Sequence, residues 1–209
     1  MIRSTEIPSK PCAWARWLLR SGPFVVWDTE TTGLHDFAKI VSIGIINQDS
    51  ETLVAWLINP GVPIPSDATA IHGVTDEMVA DAPTFAEVYP QIRKALIGQR
   101  WVIYNKDYDI PRLRYECKRY GLLYPQPAQM FQSWSSGIDE VDQTHCAMER
   151  YAVHWGDFSE YHGNYKWQSL SNAARQQHIR IKNAHNALAD AQMTLALIKA
   201  MALQEDRSG

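Results

Sequence analysis

A chain of 209 residues, 45% of them hydrophobic, suits one enzyme-sized domain with a real core, with or without appendages. Its formal charge of −3 excludes the broad basic surface that grips long duplex nucleic acid, while leaving room for a local cleft that takes chain ends. Three cysteines, Cys12, Cys117 and Cys146, with no Cys-x-x-Cys pair, argue against a disulfide framework or a cysteine zinc cluster and for a reducing, cytoplasmic compartment; no apolar run approaches a membrane span and no signal-peptide pattern is visible.

Residues 1–22 form an N-terminal extension in which Trp14, Trp17 and Leu18 fall at i, i+3 and i+4, with Arg16 and Arg20 off that stripe. The pattern predicts a short amphipathic helix from near Pro11, packed against the rest of the domain, with docking to a partner or to a membrane surface as the alternative. Residues 24–27 are an apolar, β-prone run followed at once by Asp28 and Glu30. Residues two apart on a strand share a face, so two carboxylates leave one side of a buried strand, where unpaired charge is expensive. A hard divalent cation relieves that cost, and carboxylate oxygens suit magnesium or manganese. Taken alone, the pair is explained more simply as an acidic strand end lapped by water. Thr31, Thr32 and Gly33 predict a turn whose backbone comes close to something.

Residues 39–47 and 52–58 are β-rich and extend the first strand as an antiparallel meander, ended by Asn59-Pro60-Gly61. Short helices follow over 66–78, then a helix over 84–97 with Phe85, Val88, Ile92 and Leu96 at helical spacing. Residues 101–104 read as the fourth strand and 110–120 as a helix closed by Gly121. The last two helices fall over 170–177 and 187–203, ahead of a tail at 204–209.

Between them, residues 122–167 read as an aromatic-rich insert. Pro125 and Pro127 break the chain, Trp134-Ser135-Ser136-Gly137 predicts a loop, and 141–151 is a candidate strand and helix. Phe131, Trp134, Tyr151, Trp155, Phe158, Tyr161, Tyr165 and Trp167 crowd the insert. Packing is the simple use for them, and stacking on the bases of a single strand is the alternative. His145, Cys146, His154 and His162 fit no zinc template and read as hydrogen-bonded or solvated. Strands meeting helices around one sheet make an α/β class.

Three separated segments share an acidic character: Asp28-x-Glu30, Asn105-x-x-Tyr108-Asp109, and His185-x-Ala187-x-x-Asp190 at the opening of an alanine- and leucine-rich helix. With Ala70-Ile71-His72-Gly73-Val74-Thr75 between the first two, they resemble the motifs of the DEDDh (DnaQ-like) family of 3′–5′ exonucleases. That family includes the epsilon subunit of DNA polymerase III, RNase T, oligoribonuclease and exonuclease X. The likeness runs from about residue 24 to about residue 201; the family's usual Asp-Thr at the end of the fifth strand has no clear match, and Thr144-His145-Cys146 stands there instead.

The resemblance implies an RNase H-like mixed five-stranded sheet flanked by helices, over residues 23–203. It implies two divalent metal ions, Mg2+ or Mn2+, about 4 Å apart. Asp28, Glu30 and Asp190 would hold the first, Asp28 would reach the second, and Asp109 would contribute to the second through water. His185 would be the general base, a task suited to imidazole as a class. Asp107 reads as solvated, because only Asp109 directly follows the aromatic Tyr108. Five helical positions separate His185 and Asp190, which is about 140° around one helix, so His185 is expected on the loop before the helix and Asp190 in its first turns.

For the terminal nucleotide, the resemblance points to Thr31, Gly33 and Leu34, with His72, Asn105 and Tyr108 nearby. Leu34 is either an apolar contact to a base or a buried turn residue; His72 either nears the terminal bases or fixes its local turn; Asn105 either orients the middle motif or touches substrate. The function so implied is metal-dependent 3′–5′ hydrolysis at single-stranded or frayed 3′ ends of nucleic acid, tilted toward DNA, releasing nucleoside 5′-monophosphates. The alternatives are an RNA-directed enzyme of the same family and a non-catalytic nucleic-acid-binding module. No clamp- or polymerase-binding tail is legible after Met201, so a replication partner is unsupported.

Overall fold

The computed structural model describes residues 7–134, 137–180 and 185–206. Residues 1–6 of the extension, Ser135 and Ser136 of the expected loop, the side chains of Phe131 and Trp134, and the tail from 207 lie outside the described residues. Helix α1 (Pro11–Arg20) starts on its proline and buries Trp14 and Leu18 completely, while Trp17 is half-buried under the Arg100 guanidinium, 4.7 Å from its ring. Strand β1 (Phe24–Thr31) follows, then β2 (Ile40–Asn47) and β3 (Thr52–Leu57), an antiparallel meander as expected. Short helices α2 (Ser66–His72) and α3 (Asp76–Val79) precede α4 (Phe85–Leu96), whose first turn is closed by a capping box between Thr84 and Glu87.

Strand β4 (Arg100–Ile103) leads into α5 (Lys106–Arg119), which begins four residues earlier than the sequence suggested and so takes in Tyr108 and Asp109. The supposed insert is partly core. After the hairpin β5 (Gln129–Trp134) and β6 (Gly137–Asp142), the three residues of β7 (Thr144–Cys146) complete the main sheet, and α6 (Ala147–Trp155) packs on it. A second small hairpin, β8 (Phe158–Ser159) with β9 (Asn164–Tyr165), precedes α7 (Leu170–Gln176) and the long α8 (Ala187–Ala202). Among the described residues no helix is long and apolar enough to cross a membrane.

The main sheet has the order β3-β2-β1-β4-β7, with β4 and β7 parallel to β1. Side chains of β1 alternate between two cores: Phe24 and Val26 meet α1, α6, α7 and α8, while Val25 and Trp27 meet α4 and α5. A strand covered on both faces must be apolar at every position, which accounts for the uninterrupted run at 24–27. The N-terminal extension belongs to this packing. Asp206, beyond α8, accepts from the N–H groups of Cys12 and Ala13 at 2.7 and 3.0 Å, so the two ends of the described chain are tied at the start of α1.

One close approach sets how α8 lies. A Cβ placed on Gly44 of β2 would sit 2.4 Å from the Leu188 backbone and 2.6 Å from the Ala187 carbonyl carbon. Glycine inside a strand marks such approaches. Gly44→Ala must push backbone rather than a flexible side chain, and should cost about 1–3 kcal/mol of stability. A urea unfolding midpoint unchanged from the wild type would show that α8 does not rest on β2 in this way.

Candidate active site

Asp28 and Glu30 continue the face of β1 that carries Phe24 and Val26, and both are half-buried beneath the start of α8. Asp190 lies in the first turn of α8, where the helix N-terminus favours negative charge. Oxygens of these three carboxylates all lie within 4.8 Å of one another. Thr29 points to the opposite face. Its N–H and hydroxyl both donate to Asp109 Oδ1, at 3.1 and 2.6 Å, and Asp109 is 3% exposed. Strand β4 has stopped at Ile103, so on that edge β1 meets the first turns of α5, while β2 still pairs with it on the other. Asp107 is exposed, as expected.

Crowding and burial set the electrostatics. Burial, then the fields of Asp109, Glu30 and Asp190, push the Asp28 carboxyl well above the usual range. Burial and the neighbouring Asp190 and Asp109 push Glu30 up to about 8. Burial raises Asp109 to about 7 against the lowering effect of its Thr29 hydrogen bonds and Arg112, and raises Asp190 to about 6 against His185. Among the described residues no lysine or arginine forms an ion pair with Asp28, Glu30 or Asp190. Uncompensated carboxylate oxygens close enough to share one ion fit a hard divalent cation.

His185 precedes α8, as the helical spacing required. Its backbone is left-handed, at φ 63°, and its N–H donates to both Asp190 oxygens at 3.3 Å, while the residue itself is exposed. Asn186 caps the helix by accepting from the Ala189 N–H. The field of His185 also reaches His72, whose pKa is lowered mainly by burial.

The family model described as exonuclease (RNase T) matches residues 25–198. The chain belongs to the DEDDh exonuclease family. It is 38% identical over 188 residues to an uncharacterized exonuclease of Escherichia phage 186, covering 90% of this chain and 91% of that one. It is 35% identical over 108 residues to the DNA polymerase III subunit epsilon of Pasteurella multocida, covering 47% of this chain and 43% of that one. Exonuclease X in complex with 5′-overhanging duplex DNA shares the fold at a TM-score of 0.58 and 25% identity, over 85% of this chain and 90% of that one.

In this DEDDh chain the turn after β1 is held from below. The Tyr108 hydroxyl donates to the Gly33 carbonyl at 2.8 Å and contacts the Thr31 hydroxyl, which itself donates to Gly33. His72 Nδ1 accepts from the Val74 N–H at 3.0 Å, so its Nε2 carries the proton toward the Thr31 carbonyl at 3.2 Å. Asn105 serves the middle motif through its carbonyl, which accepts from the N–H groups of Tyr108 and Asp109. Leu34 is 80% exposed, which removes the buried-turn alternative. The other candidate ligands do not gather: His145 is buried edge-on to Trp14 and Trp17, His154 Nδ1 lies 3.3 Å from Cys12 Sγ, and His162 is exposed.

Three supporting residues escaped the sequence. Gly44 was visible as a glycine within a β-branched run. Thr29 sits between the two acids, where its strand parity aims it at the opposite face. Arg112, 5% exposed, lies three residues after Asp109; it donates to the Leu34 carbonyl at 2.8 Å and stacks 4.6 Å from the Tyr108 ring.

The raised carboxyl pKa values give stability a definite dependence on pH. An acid whose folded pKa exceeds its unfolded value of about 4 contributes stability that is full below the unfolded value and lost as pH rises through the folded one. Metal-free protein should therefore weaken between about pH 4 and the Glu30 value of about 8. Magnesium or manganese, binding the ionised acids, should raise the melting temperature much more at pH 8 than at pH 5. Equal shifts at the two pH values would contradict this.

Proposed function

We propose that this chain is a metal-dependent 3′–5′ exonuclease that hydrolyses phosphodiester bonds at single-stranded or frayed 3′ ends, DNA foremost, and releases nucleoside 5′-monophosphates. The observation that carries this reading is the gathering of Asp28, Glu30 and Asp190 within 4.8 Å, beside Asp109 and the His185 loop. Asp28, Glu30 and Asp190 are the residues that would hold one ion, and Asp28 with Asp109 those that would hold a second. Magnesium or manganese bound there would acidify a water and neutralise charge on the phosphate and the departing 3′ oxygen.

The chain's own residues supply the rest. His185 takes the proton of the attacking water as general base; its main chain is already held by Asp190, which leaves the imidazole for that task. Leu34 offers apolar contact to the terminal base, and the Gly33 backbone, at φ 150°, offers close approach to its sugar. Tyr108, Arg112 and His72 keep that turn in place. A paired end must first unstack and unpair, at a cost of a few kcal/mol, which favours single strands. The preference for DNA draws on the DNA complex of the exonuclease X neighbour and on the polymerase epsilon relatives.

Matched DNA and RNA oligonucleotides, labelled and blocked at either end, test the reading. Mononucleotides should leave only from a free 3′ end, only with magnesium or manganese, and faster from DNA. Asp28→Ala and Asp190→Ala should abolish turnover in folded protein. Release from a 3′-blocked strand, or undiminished activity of folded Asp28→Ala in chelator, would overturn it. His185→Ala should slow cleavage by about 10²–10⁴-fold, or about 3–5.5 kcal/mol of barrier. A loss below about threefold would remove His185 from the role of base.

A further inference from the structure

Four aromatic side chains stand clear of the protein on and just after one short hairpin: Phe158 is 50% exposed, Tyr165 36%, Trp167 66% and Tyr161 92%. The frame beneath them is firm. Lys166 closes the base of the β8–β9 hairpin on Asp157, N–H to carbonyl at 2.8 Å and Nζ to carboxylate at 3.1 Å, and the Phe158 and Tyr165 rings meet edge-on at 5.2 Å. A cluster of exposed aromatic surface held this way marks a contact surface rather than a loose loop.

Tyr104 sets where the hairpin stands. Its hydroxyl donates to the Gln168 carbonyl at 2.8 Å, and the Gln168 side chain accepts from Gln176 of α7 at 3.0 Å. Tyr104 and Val102 belong to the same core as Phe24 and Val26, so they share the sheet face that carries Asp28 and Glu30. Tyr104 directly follows β4, whose Val102 pairs with Val26 of β1, so it lies toward the end of the sheet where β1 runs on to Asp28 and Glu30. The aromatic hairpin is thus tethered at the same face and the same end of the sheet as the acid cluster.

We propose that this hairpin, with Tyr161 and Trp167 foremost, is the platform on which bases upstream of the scissile phosphate stack. The inference rests on the exonuclease reading and names how that site holds its strand. Stacking tolerates every base, because every base has a π face, and so suits an enzyme that must accept each nucleotide in turn. With a formal net charge of −3 the chain carries no overall excess of positive charge to attract a strand by its phosphates, so ring contacts would add to its grip.

Steady-state cleavage of a 12-nucleotide single strand of DNA tests this. The double variant Tyr161→Ala/Trp167→Ala should raise KM by roughly 5- to 150-fold for each stacked base lost, with kcat moved far less. Tyr161→Phe/Trp167→Phe, which keeps the rings, should stay within about twofold of the wild type. Abasic residues walked upstream from the 3′ end should weaken the wild type at particular positions and cost the double-alanine variant nothing further there. A KM for the double-alanine variant within twofold of the wild type, or abasic penalties equal in the two proteins, would overturn the platform while leaving the exonuclease reading intact. A wild-type protein that releases no nucleotide from the 12-mer with magnesium or manganese would instead sink the exonuclease reading, and the platform with it.

Discussion

Between Gly44 and the backbone of Leu188 there is no room for a side chain, and the arrangement of the acids depends on that contact. Gly44 is the cross-strand partner of Asp28. The position that must carry no Cβ therefore lies beside the acid at the centre of the cluster. With glycine there, α8 rests directly on the sheet and its first turn carries Asp190 to Asp28 and Glu30. The same contact places His185, which leads into that turn, beside Asp190. Packed interiors transmit small displacements because they are close to solid density, so a methyl group at Gly44 would be felt at the carboxylates.

The cluster is held together against its own repulsion. Four acids share one region of the sheet, and each has its carboxyl pKa pushed upward chiefly by burial. Nothing local cancels that cost in full: Thr29 and Arg112 relieve Asp109, and His185 relieves Asp190. Rigidity comes from elsewhere, from the two apolar cores on either face of β1 and from Asp206 and Arg16 fastening α1 to the end of α8. Groups that destabilise the fold while converging on one point are the signature of a site built for a ligand.

What the sequence disclosed, and what it did not, follows from range. The run at 24–27, the parity of Asp28 and Glu30, and the helical angle between His185 and Asp190 are local rules, and they placed three acids and the histidine correctly on their elements. The reading of 110–120 started α5 too late: the helix begins at Lys106, and Pro111 sits inside it rather than in its first turn. Strand β7 and the start of α6 fall within the 141–151 candidate, but the strand's bounds could not be read because its three residues, one of them a buried histidine, carry no alternation. Gly44, Thr29 and Arg112 each reach a partner far off in the chain, 144, 80 and 78 positions away, as the contacts to Leu188, Asp109 and Leu34 show. No periodicity reports such pairings. The aromatic residues of 122–167 looked alike in sequence, yet Tyr151 is wholly buried and Tyr161 almost wholly exposed, a division that only the tertiary packing makes.

The most direct measurement is anomalous diffraction from crystals grown or soaked with manganese. A strong manganese peak is expected, bounded by carboxylate oxygens of Asp28, Glu30 and Asp190, at roughly the 2.0–2.1 Å of a small octahedral divalent ion with oxygen ligands. A second, weaker peak should lie on the side of Asp28 that faces Asp109. Manganese bound elsewhere on the protein, with none among those three carboxylates at saturating concentration and neutral pH, would contradict this reading.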